Sequence, residues 1–138
     1  MTDVKSVPAN RAVIWTIHAV FTAIIPIYMV MFAFAIAPSG AKNTVSIVSY
    51  MPVILALVTI PLGFVLPLLA GRMGGAGTTG GVGILLVKMI LSDAIFEAVA
   101  IYGMIGPFLG TPLWICYGLM GLSFALLAVN SLRIVQEP

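Results

Sequence analysis

The sequence predicts an all-α integral membrane protein whose four transmembrane helices form two antiparallel hairpins, and three observations carry that expectation. Of its 138 residues 62% are apolar and only 7% are charged, and the mean hydropathy of +1.21 is more than a water-soluble domain of this length could present to solvent. Four apolar runs follow one another, each near the roughly 20 residues that a helix needs to cross a hydrocarbon core of about 30 Å. Helices are the expected form of all four, because open sheets and irregular segments leave backbone groups unpaired in lipid. The whole chain, residues 1–138, reads as a single transmembrane domain.

The first run, Ala12–Ala37, follows a polar stretch, Met1–Arg11. It is too long for the core of a secretory signal and shows no small-residue cleavage site before Lys42, so it is read as a retained first span. The second run is Ser46–Ala70, the third Val82–Leu109 and the fourth Pro112–Ile134, with connections at Pro38–Val45, Gly71–Gly81 and Gly110–Thr111. The last connection makes the second hairpin tight. Alternation of sides puts Lys5, Arg11, Arg72 and Arg133 on one face against Lys42 on the other, so the positive-inside rule places both termini in the cytoplasm, with the inner membrane as the expected location. Trp15, Tyr50, Trp114 and Tyr117 fall near span ends, where aromatic belts form. Pro26, Pro52, Pro61 and Pro67 lie within spans, and a bend is expected in span two. The first half has no counterpart of the Gly-rich middle connection or of the acidic third span, which argues against an inverted-repeat transporter.

Six Lys and Arg against four Asp and Glu, scattered along the chain, make no basic stripe suited to a nucleic-acid backbone. The single cysteine, Cys116, cannot build a disulfide framework or a metal cluster by itself. Gly75-Ala76-Gly77-Thr78-Thr79-Gly80 fits the G-x-G-x-x-G spacing, but no strand or βαβ unit surrounds it, so it reads as a hairpin loop rather than a dinucleotide cradle. Tyr28, Met29, Met31, Phe32 and Phe34 read as a patch for lipid contact or core packing. No Ser/His/Asp or Cys/His arrangement is supported, and neither catalysis by this chain alone nor a cofactor is expected.

The third span carries the functional information. Ionisable groups within a bilayer cost several kcal/mol, so Lys88, Asp93 and Glu97 on one helix call for partners, water, neutralisation or a function. At about 100° per residue, Asp93 and Glu97 stand roughly 40° apart on one face, while Lys88 lies on the far side from Glu97. Lys88 is close enough to the cytoplasmic end to snorkel. Glu97 is near mid-span, where a neutral, protonatable carboxyl is expected, and Asp93 one turn away should make the two titrate as a unit. Two roles stay open for Glu97: a register-fixing hydrogen bond to a neighbouring helix or subunit, or the binding of an ion. His18, the only histidine, sits one turn inside the first span. It reads as a hydrogen-bonding side chain, and as a proton relay with Glu97 if spans one and three meet.

The segment Phe96-Glu97-Ala98-Val99-Ala100-Ile101-Tyr102-Gly103 resembles the carboxylate helix of rotary ATPase proteolipids, the c subunits, which often reads close to E-A-x-A-I-Y-G. The resemblance covers about one helix of four. It extends in layout to uncharacterised four-span bacterial membrane proteins that are themselves similar to the c subunit. It implies that Glu97 carries H⁺ or Na⁺, assisted by Asp93 and Tyr102, and that Ala98, Ala100 and Gly103 permit close helix approach. The chain departs from that family in placing the carboxylate on the third span and in having only Gly63 inside Ser46–Ala70.

Two functions follow as expectations. One is a proteolipid-like component of an ion-translocating complex, with Glu97 as the carrier. The other is a non-catalytic accessory or anchor subunit whose buried acids serve helix–helix contacts. The partners expected are the lipid bilayer and either other membrane subunits or further copies of the chain.

Overall fold

The computed structural model describes residues 7–36, 46–73 and 81–136, without the side chains of residues 7–10, 36, 71–73, 81–82 and 133–136. Lys5, Lys42 and the Gly75–Gly80 run lie outside the described residues, as do the side chains of Arg72 and Arg133.

Helix α1 spans Val7–Met31 and ends in a π-helical turn, Phe32–Ile36. A 3-10 turn, Ile47–Tyr50, leads into α2, Met51–Met73. Helix α3 spans Gly81–Ile105 and passes through a 3-10 turn, Gly106–Leu109, to α4, Leu113–Gln136. Among the described residues all regular structure is helical. Three segments, Arg11–Ala35, Ile47–Ala70 and Leu113–Leu132, are long and apolar enough to cross a membrane. Helix α3 is as long as α1, 25 residues each, but holds Lys88, Asp93 and Glu97.

In α1, α2 and α4 buried residues recur at heptad-like spacing along one face. In α4 the buried positions are Cys116, Leu119, Met120, Ser123, Leu127 and Asn130; in α1 they are Ile14, His18, Ile25 and Phe32. Pro52, Ala56, Gly63 and Pro67 form the corresponding face of α2. Large apolar side chains such as Leu57, Leu68 and Phe34 point outward, as they would toward lipid.

Helix α3 packs against all three others, and α1 and α4 also meet. It is the central helix, and each of its neighbours supplies polar partners that lipid could not. Its turn into α4 needs glycine, since Gly110 has φ 76° and accepts a left-handed conformation without a Cβ penalty. Ser49 and Thr111 clamp this end of the bundle: Ser49 Oγ donates to the carbonyl of Leu109 at 3.0 Å and Thr111 Oγ1 to that of Ser49 at 2.6 Å.

Pro52 lies in the first turn of α2, where its fixed φ suits the start of a helix. Pro67 lies deep in the helix and leaves the carbonyl of Gly63, four residues earlier, without its helical donor. Ser92 Oγ of α3 donates to that carbonyl at 2.7 Å. A Cβ on Gly63 would collide with the ring of Phe96, so this glycine lets α2 lie close to α3.

Candidate functional site: a polar layer across three helices

Asp93 is fully buried in α3, and both of its carboxyl oxygens are engaged. Asn130 of α4 donates from Nδ2 to Oδ1 at 2.7 Å, and His18 Nδ1 of α1 lies 2.8 Å from Oδ2. A hydrogen bond at that distance requires one proton between the two groups, carried either by the imidazole or by the carboxyl. Three helices therefore converge on one carboxyl through neighbours that the sequence places 75 and 37 residues away. Trp15 stands edge-on to His18, with ring centroids 6.1 Å apart and planes at 81°.

Glu97, one turn along α3, is half-buried. Tyr28 of α1 donates its hydroxyl to Glu97 Oε1 at 2.9 Å. The two acids share a face of α3, as their spacing predicts, yet differ in setting. Asp93 is enclosed between α1 and α4. Glu97 stands toward the outer edge of the α1 contact, beside the exposed stripe of Ile90, Ala94 and Ile101.

Apolar layers close the polar one on both sides along the bundle axis. Toward the start of α1 lie Ile14 and Met89, with Ile17, Leu85 and Leu86 packed on them. Toward the other end lies the cluster of Ile25, Phe32, Phe96, Ala100 and Met120. Within the described residues every buried side-chain nitrogen and oxygen has a hydrogen-bond partner, which agrees with the expense of leaving such groups unpaired away from water. No group of three or more His, Cys, Asp or Glu among the described residues could hold a metal ion.

The four residues singled out in the sequence fall into two places. His18 meets α3, but its partner is Asp93 rather than Glu97. Tyr102 is not brought to Glu97: five residues put it about 140° round the helix, and its hydroxyl lies 3.2 Å from Thr59 Oγ1 of α2. The tyrosine that reaches Glu97 is Tyr28, which the sequence shows only as part of an apolar patch. Of the small residues in the Glu97–Gly103 stretch, Ala100 and Gly103 are buried and Ala98 is half-buried.

Asn130 and Ser92 were missed as well. Asn130 had a signal: it lies seven residues after Ser123 and fourteen after Cys116, and therefore on the one face of α4 that is buried. Ser123 uses that face to donate to the carbonyl of Phe96 at 2.6 Å. Tyr28 had none, since its position ten residues after His18 puts it about 80° away on the helix and only its length brings the hydroxyl to α3.

No protein-family model, curated protein or solved structure matches the chain.

Proposed function

We propose that this is a four-span protein of the cytoplasmic membrane, with α3 as the third span and both termini in the cytoplasm, and that its α3 carboxyls form the proton-binding centre of an ion-translocating complex. The observation that carries the reading is the unequal setting of the two acids. Asp93 is held by His18 and Asn130, whereas Glu97 is half-buried and takes one hydrogen bond from Tyr28. A locked carboxyl beside a reachable one suits a site in which Glu97 exchanges a proton and Asp93 sets the field it feels.

The surrounding groups favour H⁺ over Na⁺. Hard cations are held by converging oxygen lone pairs, but Asp93 faces a ring nitrogen and an amide N–H, and Tyr28 presents its own proton to Glu97. The resemblance of Glu97–Gly103 to the proteolipid carboxylate helix supports the same role for Glu97, now with Tyr28 rather than Tyr102 beside it.

A test is carbodiimide labelling in native membranes across a pH series, with and without Na⁺, because the reagent modifies protonated carboxyls buried in lipid. Labelling of Glu97 that Na⁺ does not block is the expected result. Protection by Na⁺ overturns the choice of ion, and failure to label at any pH overturns Glu97 as the exchanging group.

The full engagement of Asp93 by α1 and α4 favours a second reading, an accessory or anchor subunit in which the acids join helices. Glu97→Gln separates the two. It keeps hydrogen bonding and removes titration, so lost ion coupling in an assembled complex supports the first reading, and failed assembly supports the second.

A further inference from the structure

We infer that Gly63–Pro67 is a hinge in α2 and that the hydroxyl of Ser92 is its latch to α3. A proline in a helix interior removes one backbone donor and presses on the carbonyl four residues back, the usual origin of a bend. In α2 that carbonyl belongs to Gly63, and Gly63 and Pro67 are both buried against α3. The freed carbonyl cannot turn to water there. Ser92 Oγ, itself buried, reaches it at 2.7 Å and supplies the donor that Pro67 lacks.

This bond differs in kind from a back-bonded hydroxyl. Thr22 Oγ1 donates to the carbonyl of His18 four residues earlier, within α1, and ties nothing to anything else. Ser92 joins two helices, and the acceptor has no helical donor of its own. A side-chain hydroxyl leaves its acceptor by a single rotation, so the latch opens without unwinding either helix. Ser92 immediately precedes Asp93. The attachment of α2 and the placement of the acid bound to His18 and Asn130 are therefore set by consecutive residues of α3.

Pro61 also lies within α2, but it frees the carbonyl of Leu57, whose side chain faces outward. The hinge is placed at Gly63 because there the free carbonyl, the missing Cβ and the neighbouring donor coincide. Gly63 has no Cβ to oppose the ring of Phe96 or to limit how α2 turns against it.

The test is a cycle of Ser92→Ala in the native and Pro67→Ala backgrounds, read by reversible unfolding in mixed detergent. Alanine at position 67 restores the donor to Gly63 and makes the serine redundant, and the small void it leaves is common to both members of that background. Ser92→Ala is expected to lower the folding equilibrium constant roughly tenfold beside Pro67, the effect of stranding a buried carbonyl, and to change it little in the Pro67→Ala background. Equal losses in the two backgrounds overturn the proposal. Spin labels at Leu68→Cys and Val87→Cys, in a Cys116→Ala chain, read the hinge itself; a pair at Leu57→Cys and Ile101→Cys reads the other arm of α2. Ser92→Ala should broaden the first distance distribution and leave the second unchanged, and equal broadening of both would mean general loosening rather than a hinge. If Ser92→Ala alone does not fold, the double variant decides: the latch requires that Ser92→Ala/Pro67→Ala folds.

Discussion

Gly103 of α3 lies so close to the main chain of α4 that a Cβ placed on it would stand 2.6 Å from the carbonyl oxygen of Cys116. The obstacle is backbone, which cannot rotate aside as a side chain can. Gly103→Ala therefore has to push α3 and α4 apart, and a destabilisation of about 1–3 kcal/mol is expected from overpacking of this kind. Unfolding in mixed detergent measures it; an unchanged midpoint would mean that the two helices are not in contact here.

Gly118 and Gly121, on the outer face of α4, supply the contrast. A Cβ at either position meets nothing within 4 Å, so alanine there should not weaken the isolated chain and should raise its stability by up to about 1 kcal/mol through helix propensity. The same two substitutions become informative in membranes. If they disrupt assembly while leaving the purified chain no less stable, this face of α4 is covered by a partner.

His18→Ala strips one partner from a carboxyl that has no access to solvent. Removing one member of a buried pair commonly costs about 3–5 kcal/mol, and His18→Ala should fall at or just below that range because Asn130 still holds the other oxygen at 2.7 Å. A double-mutant cycle with Asp93→Asn should show strong coupling; additive losses would mean that the 2.8 Å contact carries no net energy.

Tyr28→Phe deletes one hydroxyl and leaves the ring in place. The expected loss is about 1 kcal/mol, typical of a single neutral donor, together with faster carbodiimide labelling of Glu97, whose Oε1 is then released. Labelling that stays at the original rate would show that Tyr28 does not guard the carboxyl.

Ser123→Ala should be milder than its resemblance to Ser92→Ala suggests. Both serines donate to a carbonyl across a helix interface, but the acceptor of Ser123, Phe96, has a non-proline residue, Ala100, four positions on and keeps its helical donor. A loss of about 0.6 kcal/mol, the average for hydrogen bonds between membrane helices, is expected in thermal or detergent unfolding.

The sequence reveals the helices well because their length and apolarity are properties of contiguous residues. Helix α3 begins one residue from the predicted start at Val82, and the structure ends it at Ile105 only because Gly106–Leu109 tightens into a 3-10 turn. The acids were legible for the same reason, since a charge in an apolar run is conspicuous. Their partners were not. Asn130 and His18 reach Asp93 from helices far away in the chain, and no local spacing encodes which helix faces which. Tyr102 shows how little nearness in sequence says about facing: it follows Glu97 by five residues, yet its hydroxyl lies beside Thr59 of α2. The role of Ser92 was hidden more deeply, because its acceptor exists only through the absence of a proton on a proline of another helix.

The central position of α3 also bears on how the protein is made. A segment with Asp93 and Glu97 near its middle is unfavourable alone in lipid, with charged residues at a helix centre adding about 2.5–3.5 kcal/mol each on insertion scales. Its remedies arrive at different moments of synthesis: His18 and Tyr28 precede it, while Asn130 follows. The turn at Gly110–Pro112 is short enough, in the four-span reading, for α3 and α4 to enter together as a hairpin, bringing the amide to Asp93 as the pair inserts. In the four-span reading, a nascent chain arrested after Gly110 should expose α3 to the aqueous side, and one extended through Asn130 should not, so the last helix acts as an internal chaperone for the one before it.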